Sequence, residues 1–74
     1  MTRDAIQPLA ESEGFRAFII VTKSGTHFLV PHPEFIEIPP GEDTPYIIVY
    51  RTGRVSVPKF IDLDAIDHLD FELK

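Results

Sequence analysis

The chain has 74 residues, a formal net charge of -5 and no cysteine, with 43% of its residues hydrophobic and 26% charged. That length allows one domain with a small core and about 3–5 kcal/mol of net stability, and the absence of cysteine excludes disulfides and thiolate zinc sites as supports. The acidic balance repels a phosphate backbone overall, so nucleic acid is disfavoured as a partner, and oligomerisation is open as a source of stability.

Residues 2–13 are the helical candidate, with Ile6, Leu9 and Ala10 forming a narrow apolar stripe. Pro8 predicts a helix that starts near Ile6 or is kinked, because proline fits only the first turn without loss. Gly14 reads as the stop signal. From Phe15 onward the chain reads as strand. Phe15 to Lys23 is β-branched and aromatic, Ser24-Gly25 reads as a two-residue turn, and Thr26 to Val30 as the return strand. Pro31 and Pro33 break the ladder around His32, since proline has no N–H to donate. Phe35 to Ile38 resumes as extended chain, and Pro39 to Pro45 is a loop. Tyr46 to Arg51 and Arg54 to Lys59 form the next strand pair around Thr52-Gly53. A single helical turn is placed within residues 60–66, and His68 to Leu73 is the last strand.

The predicted fold is mainly β with one short N-terminal helix: a small bent antiparallel sheet of five strands, or a partly open SH3- or Sm-like barrel. Residues 1–14 supply the helix and lead-in and residues 15–74 the β meander of one domain. Several strands are apolar on both faces. Phe18 and Ile20 alternate with Ile19 and Val21, Phe28 and Val30 with Leu29, and Ile47 and Val49 with Ile48 and Tyr50. A sheet wetted on one side alternates apolar with polar residues. The second face therefore needs a cover, and a helix carrying Ile6 and Leu9 is too small to be all of it.

Residues with chemical potential are few. His32 and Glu34 form a rigid pair without a third ligand nearby, so His32 reads as a residue that caps a turn or packs against Phe35 rather than a metal ligand or base. His27 follows a turn. Asp62, Asp64, Asp67 and Asp70 surround His68, but they lack the glycine and bidentate glutamate of a calcium loop and interleave with apolar residues, as a half-buried segment does. Asp62 or Asp64 is a candidate cap for the helical turn. Glu34 and Glu37 fall on opposite faces of a strand, which disfavours a paired acid and base. Ser12, Ser24 and Ser56 lie in no nucleophile motif.

At Gly14-Phe-Arg-Ala-Phe18, the Ser24-Gly25 turn, His32-Pro-Glu-Phe35 and Phe60-Ile-Asp-Leu-Asp-Ala-Ile66, the chain resembles a family of small, uncharacterised bacterial proteins. Its pattern has a P-F-x-P-F-like segment, an H-P-E-F motif and a closing I-x-D-L-D-x-I-like segment. The family supplies no function and no functional residues. The chain departs from its pattern in having Gly14 and Ala17 for proline, and in being apolar at Ile19, Val21 and Leu29.

The expected function is a non-enzymatic protein-interaction module that self-associates or docks on a larger protein through a sheet edge or apolar face. The expected interface comprises Ile19, Val21, Leu29, Ile47 and Val49, with the Pro31-His32-Pro33 corner shaping the edge. No cofactor, metal or catalytic residue is expected. Alternatives are an Sm-like RNA-binding ring using Arg51 and Arg54, and a metal-dependent enzyme using His32, His68, Asp62 and Asp64. No apolar run approaches the ~20 residues of a membrane helix, and the N-terminus lacks the pattern of a secretory signal, so a soluble cytoplasmic protein is expected.

Overall fold

The computed structural model describes residues 2–11, 13–41, 43–50 and 58–71. Helix α1 (Arg3–Glu11) is followed by strands β1 (Phe18–Thr22), β2 (His27–Val30), β3 (Ile36–Glu37), β4 (Tyr46–Tyr50), β5 (Pro58–Asp62) and β6 (Ile66–Phe71). Two 3-10 turns, Pro33–Phe35 and Leu63–Ala65, sit at the corners before β3 and β6. The strands make two antiparallel three-stranded sheets, ordered β2-β1-β6 and β3-β4-β5. This corrects the five-stranded single sheet. The extended chain after Pro33 becomes a strand of its own, and the described strands do not close into a barrel.

The corners explain the division. Pro31 and Pro33 bring no N–H to the ladder, and at Pro33–Phe35 the His32 carbonyl accepts the Phe35 N–H at 3.0 Å. The second corner ties the sheets together. The Leu63 N–H donates to the Pro45 carbonyl ahead of β4, and the Lys23 N–H donates to the Ala65 carbonyl beyond β1, both at 2.8 Å. The single helical turn expected within residues 60–66 is therefore the Leu63–Ala65 turn, and Phe60 belongs to β5.

The β1–β2 hairpin closes between Thr22 and Thr26 on a three-residue loop, Lys23 to Gly25, not on a two-residue turn. Val21 pairs with His27, the Thr22 N–H donates to the Thr26 carbonyl at 2.9 Å, and the Gly25 N–H donates to the Thr22 carbonyl at 2.9 Å. Lys23 and Ser24 form the turn, and Gly25 follows at φ +89°, the left-handed residue that a three-residue hairpin loop requires. The Thr26 N–H, displaced from the usual carbonyl, donates to Thr22 Oγ1 at 3.1 Å.

The core lies between the two sheets and the helix. Ile6 and Ala10 join Phe18, Ile20, Val30, Ile36, Ile47, Val49, Ile61, Leu63 and Ile66 in one buried cluster. Helix α1 runs through Pro8 from Arg3, rather than starting near Ile6. The Thr52-Gly53 turn and the Arg54–Val57 part of the expected strand lie outside the described residues.

Candidate interaction surface

Strand register assigns each side chain to a face. In β1, Phe18 and Ile20 point into the core with their partners Val30 and Phe28, while Ile19 and Val21 take the opposite face with Leu29 and His27. On the other side of β1, Asp70 and His68 complete those outer rows. The outer face of this sheet thus carries Leu29, Ile19 and Asp70 in one row and His27, Val21 and His68 in the next. Leu29 is 46% exposed and Ile19 half-buried, whereas Val21 is closed off without joining the core.

In the second sheet the parity is reversed. Ile47 and Val49 face inward with Ile61 and Ile36, at 0% and 1% exposure. Their placement at an interface is therefore corrected: in this chain they have no surface to offer a partner. The outer face carries Tyr46, Ile48, Tyr50 and Phe60 instead. Phe60 is 59% exposed, and its ring lies 5.4 Å from that of Tyr46. The tyrosines were the available signal, since their hydroxyls favour the wetter side of an otherwise apolar strand.

The Pro31-His32-Pro33 corner sits between the sheets, with His32 and Pro33 exposed and Pro31 half-buried. The His32 ring lies 6.0 Å from the Phe35 ring, and its side chain makes no capping hydrogen bond. Asp62 occupies the cap position of the Leu63–Ala65 turn, also without a capping side-chain bond. Among the described residues, no group of three His, Asp or Glu converges to hold a metal ion. Arg51 and Arg54 lie outside the described residues.

His68 is the strongest electrostatic feature. Its Nδ1 lies 2.6 Å from Asp67 Oδ2 and its Nε2 lies 3.2 Å from Asp70 Oδ2. A neutral imidazole has one N–H and cannot donate to both carboxylates; the imidazolium can. The hydrogen bond to Asp67 is the main cause raising its pKa above the ordinary 6.5, and Asp70 adds to it.

An open cleft of about 610 Å³ separates the β1–β2 hairpin from β5. Phe28 and Ile61, both on inward faces, line its depth, and Phe60 extends the apolar wall outward. Thr22, Ser24 and Thr26 bring hydroxyls bonded to one another along the hairpin side. Lys23, His27, Lys59 and Asp62 supply the ionisable groups. Among the described residues, β2 and β5 are edge strands, each paired on one side only.

Among the described residues no helix is long and apolar enough to cross a membrane. Compared with protein-family models, with curated proteins and with solved structures, the chain matches none of them.

Proposed function

We propose that this chain is a protein-interaction module that self-associates or docks on a larger protein through a sheet edge or an apolar sheet face. The observation that carries this reading is the set of apolar side chains left on the two outer faces. Leu29 and Phe60 are 46% and 59% exposed, and Ile19 and Ile48 beside them pack outside the core cluster. The helix directs Ile6 and Ala10 between the sheets, so it covers neither outer face. Free strand edges add main-chain donors and acceptors that a partner strand can satisfy.

Light scattering on a size-exclusion column tests the self-associating form. The natural chain is expected to gain mass as concentration rises, and Leu29→Lys or Phe60→Lys to reduce that gain while leaving the thermal melt within about 0.5 kcal/mol of the parent. A constant monomer mass at high concentration, unchanged by either variant, defeats self-association. For the docking form, affinity capture from the native host should recover a protein with the natural chain and lose it with Leu29→Lys or Phe60→Lys.

A further inference from the structure

We infer that the cleft between the β1–β2 hairpin and β5 receives an extended peptide segment of a partner protein with alternating acidic and apolar side chains. This deepens the interaction reading and rests on it. The cleft is walled by β5, an edge strand whose far side has no strand partner among the described residues. An added strand there gains main-chain hydrogen bonds, and its side chains alternate between the cleft and the outside.

Charge selects the occupant. The chain as a whole carries -5, yet the ionisable lining of the cleft is Lys23, Lys59, His27 and the single acid Asp62, a net of +1 with histidine neutral. Four cations lie among the described residues. Arg3 donates to the Gly41 carbonyl, and Arg16 sits 4.4 Å above the Phe71 ring. The other two, Lys23 and Lys59, both rim the cleft, and neither ammonium has an ion-pair partner among the described residues. Lys59 lies opposite Val49 and shares its face with Ile61, so a carboxylate placed near it stands beside the apolar floor. Phe60, on the opposite face of β5, offers ring surface for the intervening apolar side chains. A polyphosphate brings many more charges than two lysines match, and meets the repulsion of the whole acidic chain.

The test is selection from a random dodecapeptide display library on the natural chain, with counter-selection on the Lys23→Glu/Lys59→Glu double variant. Both lysines are exposed, so the variant's circular dichroism and melt should match the parent. If it fails to fold, the single Lys23→Ala and Lys59→Ala variants replace it. Enriched peptides should alternate Asp or Glu with apolar residues. The most enriched peptide should shift amide signals in residues 58–62 and 22–28 and lose about tenfold in affinity on the variant. The inference is overturned by four results: no enrichment over the variant, neutral or basic enriched peptides, shifts elsewhere on the molecule, or displacement of the peptide by oligouridylate at equal affinity. Concentration-dependent mass lost in Leu29→Lys, together with any of these, would leave the interaction module standing and remove only the cleft assignment.

Discussion

For single side chains, His68 gives the sharpest test. Both of its ring nitrogens face carboxylates on a half-exposed surface, so folding favours the protonated ring. The stability this supplies is fully present below the ordinary pKa of 6.5 and is lost as pH rises through the raised folded value. A proton NMR titration should place the His68 midpoint above 6.5, and Asp67→Asn should bring it down, because Asp67 is the leading cause. An unchanged midpoint in that variant would assign the shift elsewhere. Gly25 gives a second test. It sits at φ +89°, and a Cβ there would meet nothing within 4 Å. Gly25→Ala therefore isolates the backbone penalty of the left-handed region, about 1 kcal/mol. In a domain of this size that lowers the melting temperature by about 4–8 °C.

Among the elements, α1 carries the clearest conflict between local preference and tertiary demand. Pro8 is the sixth of nine helical residues and leaves the Asp4 carbonyl without the N–H that a regular helix supplies. Ile6 at 0% and Ala10 at 7% exposure hold the helix in place against that loss. Since Pro8 itself is exposed, Pro8→Ala should stabilise the chain. The gain is about 2 kcal/mol, the helix-interior penalty less the entropy that proline removes from the unfolded state. A chemical denaturation midpoint that fails to rise would show the helix to be held wholly by its core contacts. The strands were legible where residue type was decisive: β-branched and aromatic runs marked β1 and β4, and the prolines marked the corner after β2. Facing was legible only in part. Ile19, Val21 and Leu29 fall on one outer face as their alternation allows, but Tyr46-Ile-Ile-Val-Tyr50 has no apolar–polar alternation, and only the hydroxyls of its two tyrosines mark the outward parity. Phe60 was hidden for another reason. The Leu63–Ala65 turn begins three residues later, and the apolar spacing around it suits a helical turn as well as the end of a strand. The cleft had no signature at all, because Lys23 and Lys59 come together through the sheet topology.

The molecule as a whole has two sheets and one core. Residues of α1, of all six strands and of the second 3-10 turn belong to the same buried cluster, and main-chain bonds cross that turn in both directions. Neither sheet has a separate apolar interior to retain when the other opens, so unfolding should be a single transition. Ile61→Val on β5 probes this without unfolding the chain. Ile61 is 4% exposed, and loss of one methyl group there should remove about 1 kcal/mol. If the sheets open together, the slowest-exchanging amides of Phe18 and Ile20 in β1 accelerate about fivefold, by the same factor as those of Ile47 and Val49 in β4. Native-state hydrogen exchange read by NMR distinguishes this from separable sheets, in which acceleration stays within β3, β4 and β5. A confined response would mean that the β2-β1-β6 sheet holds together on contacts other than those through Ile61. The shared core would then have to be divided at the Leu63–Ala65 corner.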